Sequence, residues 1–227
     1  MAAKRSGTRS TRSQRAGSVP QPRSETPLSL ERIAATAVEL LDVHGVDGLT
    51  MRRLADRLGS GVMSLYWHVD TKEDVFDLAL DMVLEYRGQP QAAGTQDWRA
   101  EVIHILEDWR AQMLRHPWSA SLLPSRALGP NILYRLELLG KTLSGAGVAD
   151  ANLNVAIWSL WNHVMGATIT RASFDLSNDD QAAAQQRLHL SERYPTIERS
   201  RLPLDNDWDG VFRKGLDFLL DGLAPKP

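Results

Sequence analysis

An all-α fold is predicted from three features of the chain. Apolar residues recur at three- and four-residue spacing in most segments after Ser29, helix-capping residues open those segments and glycines often close them, and no stretch shows the strict alternation of a half-buried strand. The organisation predicted is a basic arm over 1–28, a small helical unit over 29–88 and a larger helical body over 97–223.

The first helix is read from "SLERIAATAVELLDVHG", with Ser29 as its N-cap and Gly45 as its stop. Ile33, Ala34, Ala37, Val38, Leu40 and Leu41 form one stripe along it, so that face is expected in a core. Thr50 caps a second, two-turn helix, "MRRLADRLG", which ends at Gly59. A third helix holds "VMSLYWHV", and a fourth, "DTKEDVFDLALDMVLEY", opens with Thr71 and Asp74 spaced as a capping box. Residues 89–96 contain Pro, Gly and Gln and read as a joint. Beyond it, helices are predicted near 97–115, 119–127, 130–145, 150–172, 178–193 and 207–222, with Asn206 or Asp207 capping the last and Gly222 stopping it.

Composition narrows the chemistry. The chain has no cysteine, which excludes disulfides and thiolate metal sites, and no apolar run reaches the roughly 18 residues of a membrane span. The basic N-terminus lacks the apolar segment of a secretory signal, so a soluble, cytoplasmic protein is expected. The net charge of -2 conceals a division. Residues 1–24 carry Lys4, Arg5, Arg9, Arg12, Arg15 and Arg23 and no acid, whereas the remainder is net acidic. Such an arm reads either as a solvated tail or as a phosphate-seeking extension of a DNA-binding unit.

The stretch "GSGVMSLYWH" over 59–68 admits three readings. A phosphate-cradling glycine loop must follow a strand, but an amphipathic helix precedes it here. Ser64 and His68 lie four apart, yet no strand–turn–helix elbow or oxyanion-hole glycines surround the serine. The third reading is a helix–turn–helix, two helices joined by a short glycine-containing turn. Leu54, Ala55 and Leu58 then face inward from the first helix, and Leu65 and Val69 anchor the second. Val62, Met63, Ser64, Tyr66, Trp67 and His68 are left for other faces, although Tyr66 and Trp67 could also simply pack.

Residues 29–80, above all "LTMRRLADRLGSGVMSLYWHVDTKEDVFDLAL", resemble the DNA-binding domain of the tetracycline-repressor (TetR) family. "LRHPW" at 114–118, "GPN" at 129–131 and "FRKGLDFLLDGL" at 212–223 resemble the regulatory domain of its tetracycline-repressor-like branch. The resemblance implies a homodimer whose recognition helices read two half-sites of a near-palindromic double-stranded operator. It places Arg52 at a base-reading position, suited to guanine, and Thr50 at a phosphate. Val62, Met63, Ser64 and Tyr66 fall at positions that reach bases or nearby phosphates, and Trp67, His68 and Lys72 at backbone contacts. The run Ser60–Met63 departs from the family pattern, so this protein's own operator preference is expected there. A glycine at 61, read as lying in the first helical turn, would cost that turn about 1 kcal/mol relative to alanine.

The body holds six of the seven tryptophans. Trp158, Trp161, Asn162 and Met165 share one broad helical face, and Leu106, Trp109 and Met113 recur at helical spacing. These residues suit ordinary core packing and an aromatic-lined ligand pocket equally; the resemblance favours the pocket, with His104, Asn162 and His163 as orienting polar groups. Glu101-x-x-His104 is half of a di-iron signature with no partner motif, and neither a metal nor a cofactor is expected. Val211, Phe212, Leu216, Leu219 and Leu220 form a stripe on the last helix, available to a dimer contact or to the monomer's own core. No convergent acid, base and nucleophile set argues for an enzyme. The function predicted is a transcriptional repressor released from its operator by an apolar or aromatic small-molecule effector; the alternatives are effector-independent DNA binding, with the aromatics as core, and an enzyme on a helical scaffold using His104 and His163.

Overall fold

The computed structural model describes residues 27–88, 97–174, 194–200 and 207–224. The basic arm and the helix predicted over 178–193 lie outside these. The described residues contain no strand, and their helices run in the order α1 (Leu30–Gly48), α2 (Met51–Leu58), α3 (Val62–Leu65), α4 (Lys72–Val83), α5 (Trp98–Arg115), α6 (Pro117–Leu122) with a 3-10 turn at Leu123–Ser125, α7 (Pro130–Gly145), α8 (Asp150–Phe174), α9 (Pro195–Ser200) and α10 (Trp208–Leu223).

The predicted caps form. The Ser29 hydroxyl accepts from the Arg32 amide, and Thr50 Oγ1 accepts from that of Arg53. Thr71 and Asp74 make both bonds of the capping box. Gly45 adopts φ 67°, so the first helix breaks there as expected and the three following residues are a separate turn. Gly59 is also left-handed, and the Ser60 amide reaches back to the Ala55 carbonyl at 3.0 Å, closing α2 with a Schellman turn. The helix predicted from 119 instead begins at Pro117, whose missing amide hydrogen suits a first turn.

The front unit is α1 packed on α4, with α2 and α3 laid across them. Ile33, Ala37 and Leu41 of α1 meet Val75, Ala79 and Leu80 of α4, and Leu54, Ala55, Leu65 and Val69 close the same core. In the body, α5 is central: Val102, Ile105, Leu106, Trp109 and Met113 are fully buried, and α7, α8 and α10 surround it. Phe212, Leu216 and Leu220 of α10 pack into this core. The open choice for the last helix is thereby resolved for those three residues, since the monomer buries them itself.

Candidate DNA-binding surface and ligand-binding body

Once α2 and α3 dock, their outer faces have nothing to cover them. Leu65 is fully buried and Val69 nearly so, while Met63 is 75% exposed, Trp67 88% and Tyr66 44%. Ser64 and His68 are also exposed, and Val62 is half-buried against the core. Trp67 therefore does not pack in the monomer. The helical stretch is shorter than expected: α3 proper has four residues, and the amides of His68 and Val69 both turn back to the Leu65 carbonyl. Gly61 is the N-cap, in extended conformation at φ -79° and ψ 147°, so the helical penalty expected of it does not arise. Thr50 is exposed at the start of α2, and Lys72 lies over the Phe76 ring at 4.9 Å.

The charges of the front unit divide by job. Arg53 donates to the Gly48 carbonyl at 2.7 Å and Arg57 pairs with Glu39 at 2.9 Å. Arg52 is exposed, and no ion pair holds it among the described residues. Three carboxylates of this unit bind the body. Asp42 of α1 receives both the His116 ring at 2.8 Å and the Trp118 indole N–H at 2.7 Å. Asp77 of α4 takes two bonds from Arg126, whose guanidinium it holds above its usual pKa. Asp81 accepts from the Asn131 amide and side chain at 2.8 and 3.0 Å, acting as a cap on α7 supplied by α4. Gly129 is required there, because a Cβ would collide with the Asp81 carboxylate. Further along, the carbonyls that end α4 are held by the body: Leu84 by Arg135 at 3.1 Å and Glu85 by Gln112 at 2.7 Å. The strings "LRHPW" and "GPN" are thus the body's half of a polar joint.

Inside the body the aromatic groups form a continuous series. His104 meets Tyr86 edge-on at 6.2 Å, Arg135 lies 5.0 Å from the Tyr86 ring and 5.5 Å from Trp109, and Trp109 meets Trp161 at 4.9 Å and 83°. Trp161 then contacts Trp158 at 5.4 Å. Of the residues predicted to touch a ligand, Trp109 and Met113 are wholly enclosed, Trp161 and Met165 nearly so, and His104, Trp158 and Asn162 are exposed. His163 is engaged structurally. Its Nε2 donates to the Phe212 carbonyl at 2.9 Å, and its ring stacks on Phe212. Among the described residues no group of His, Asp and Glu could hold a metal ion, and no helix is long and apolar enough to cross a membrane.

Tyr86, Arg135, Gln112 and Asp81 escaped the sequence reading. Arg135 is fully enclosed, donating to Asp108 at 2.9 Å, to Gln112 at 2.8 Å and to the Ile105 carbonyl at 3.0 Å. Burial pulls its pKa down, and Asp108 opposes that shift. An arginine on an amphipathic helix is ordinarily solvated, so no periodicity signals it.

Residues 33–79 match the family model for bacterial regulatory proteins of the tetR family, and residues 89–226 match that of the tetracyclin repressor-like C-terminal domain. The chain belongs to the TetR family. An HTH-type transcriptional regulator of Saccharopolyspora erythraea is 38% identical over 211 residues, 90% of this chain and 88% of that protein. The HTH-type transcriptional repressor DrrR1 of Streptomyces coeruleorubidus is 32% identical over 212 residues, covering 86% of this chain and 77% of DrrR1. Among solved structures, the Streptomyces coelicolor TetR family protein ActR in complex with actinorhodin superimposes with a TM-score of 0.76 at 28% identity, covering 87% of this chain and 97% of ActR. These relatives are regulators rather than enzymes. In TetR-family terms α2 and α3 are the helix–turn–helix and α5 to α10 the regulatory domain, and the carboxylate joint connects the two.

Proposed function

We propose that this TetR-family protein is a cytoplasmic homodimeric repressor that leaves a near-palindromic operator when a small aromatic effector enters its body. The observation that carries the reading is the exposed Met63, Tyr66 and Trp67 together with exposed Arg52 of α2, on a packed helix pair joined to an aromatic-rich body. Arg52 would read a base edge; Val62, Met63, Ser64 and Tyr66 would meet bases or phosphates, and Thr50, Trp67, His68 and Lys72 the backbone. Met63 and Val62 offer apolar contact, which suits a thymine methyl. ActR, solved with actinorhodin, supports a ligand in the body, and DrrR1 supports repression.

Val155, Trp158 and Ile169 of α8 and Val211 and Phe218 of α10 remain exposed after the monomer has folded. Five large apolar side chains on two adjoining helices suit a self-complementary two-fold contact, the family's four-helix arrangement. Dimerisation would set the separation of the two recognition surfaces at about one DNA turn. An effector that favours another seating of α4 would change that separation, weakening binding by its differential affinity for the two states.

Selection of bound DNA from a random library, followed by a compound screen for release, tests the reading. A palindromic consensus and at least one releasing aromatic compound are expected. Failure to select any consensus would overturn the DNA-binding reading, and selection without any releasing compound would leave an effector-independent binder.

A further inference from the structure

Apolar contacts between the front unit and the body tolerate sliding, because they have no preferred direction. The polar contacts along α4 do have one. Arg126 grips the Asp77 carboxylate with two bonds, at 2.7 and 2.9 Å, and donates to the Glu73 carbonyl at 2.9 Å. Asn131 holds the Asp81 carboxylate through its backbone amide and its side chain, and also donates to the Asp81 carbonyl at 2.9 Å. Arg135 takes the Leu84 carbonyl at 3.1 Å. Residues 73, 77, 81 and 84 recur at helical spacing, so one stripe of α4 is held turn by turn from Arg126 and α7. Among the described hydrogen bonds, α5, the next helix in the chain, reaches only Glu85 just past α4, through Gln112.

We infer that Arg126 and Asn131 are positioning residues that restrict the dimer to one spacing between operator half-sites; the inference rests on the DNA-binding reading above. Magnitudes decide it. Buried Val69 anchors α3, and α4 begins at Lys72, so a displacement of α4 carries the recognition surface with it. One extra base pair moves two half-sites apart by about 3.4 Å, or about 1.7 Å for each protomer when the two-fold axis is kept. Stretched that far, the Arg126 and Asn131 bonds pass well beyond the roughly 3.5 Å at which a hydrogen bond ends. An intact row therefore rejects a spacing that is wrong by one base pair, although neither residue lies on α2 or α3. Gly129 belongs to the same device. A Cβ there would collide with the Asp81 carboxylate, so the glycine gives Asn131 its access.

The test reads the seating twice, with DNA and without. Operators are selected from random libraries that differ in the length between half-sites. The proteins are the parent, the double variant Arg126→Ala/Asn131→Ala, and Gly129→Ala, whose added methyl displaces Asp81 without removing a charge. The parent should prefer one length by at least about tenfold over lengths one base pair shorter or longer, the scale of a hydrogen bond to a charged group. Both variants should lose most of that preference while keeping the base preference inside each half-site. Without DNA, the cysteine-free chain allows one spin label per protomer through Val43→Cys, at an exposed position of α1. The distance between the two labels of a dimer should be narrowly distributed in the parent and broader in both variants. An unchanged spacing preference or an unchanged distance distribution in the variants would overturn the proposal. Thermal unfolding identifies a variant that has lost its fold, and the other variant then decides. If the parent selects no operator, the DNA-binding reading falls and takes this assignment with it. If the parent selects one without regard to spacing, only this assignment falls.

Discussion

Trp67 and Leu65 stand two residues apart and have opposite fates, one 88% exposed and one wholly buried. Leu65→Ala should cost about 2–5 kcal/mol, the usual range for emptying a core leucine site. Trp67→Ala should change stability by less than about 0.5 kcal/mol, as is usual for surface positions, yet weaken operator binding. Urea unfolding and fluorescence anisotropy on the selected operator read the two effects separately; a Trp67→Ala protein that binds DNA normally would remove the indole from the interface. The arginines of α2 diverge similarly. Arg52→Ala should cost about 1–3 kcal/mol of operator affinity and relax the sequence preference at one base pair. Arg53→Ala should have the smaller effect on specificity, because its guanidinium already caps the Gly48 carbonyl. Equal losses of specificity in the two variants would contradict this division.

At the scale of elements, capping was legible in sequence because it is local. Asp74 accepts from the amides of Thr71 at 2.8 Å and Asp70 at 3.0 Å. Those bonds, the Thr71 amide foremost, hold its carboxyl below the ordinary pKa. A depressed carboxyl stabilises the fold at pH values above its unfolded pKa, and the contribution disappears as pH falls through the lower, folded value. Asp74→Ala should therefore be less stable than the parent at neutral pH, with the gap closing below about pH 4. Thermal unfolding at pH 7, 5 and 3 measures this; a gap that persists unchanged at pH 3 would assign the loss to something other than the carboxylate. Helix ends were also legible where glycine takes positive φ, at Gly45 and Gly59. The extent of α3 was not. "VMSLYWHV" has helical spacing, but α3 ends at Leu65, whose carbonyl takes both the His68 and the Val69 amides in a closing turn. Gly61 was misread for a related reason, since cap and first turn differ by one residue and by ψ alone.

For the whole molecule, the separation of core from contact surface is a tertiary matter. The stripe Val211, Phe212, Leu216, Leu219 and Leu220 is split by α8: Phe212, Leu216 and Leu220 face inward, Val211 is exposed and Leu219 is half-buried. Phe218, which the stripe omitted, is 66% exposed beside Lys214. Phe218→Asp should leave the monomer folded and shift sedimentation from dimer to monomer, with a parallel loss of operator affinity. A dimer that survives this substitution would place the two-fold contact elsewhere.

The sequence by itself determined the all-α class, the caps, the helix–turn–helix and the family, because each depends on residues within a few positions of one another. It also supplied the strings "LRHPW" and "GPN" without their partners. Only the tertiary structure decided what those strings do, since Asp42, Asp77 and Asp81 reach His116, Trp118, Arg126 and Asn131 across 49 to 76 residues of chain. The same holds for Arg135, which is enclosed only when α4, α5 and α7 come together. Periodicity reports which face of a helix is apolar, whereas the partner of a buried charge depends on which helices meet. That meeting gives three carboxylates of the front unit, Asp42, Asp77 and Asp81, their partners in the body.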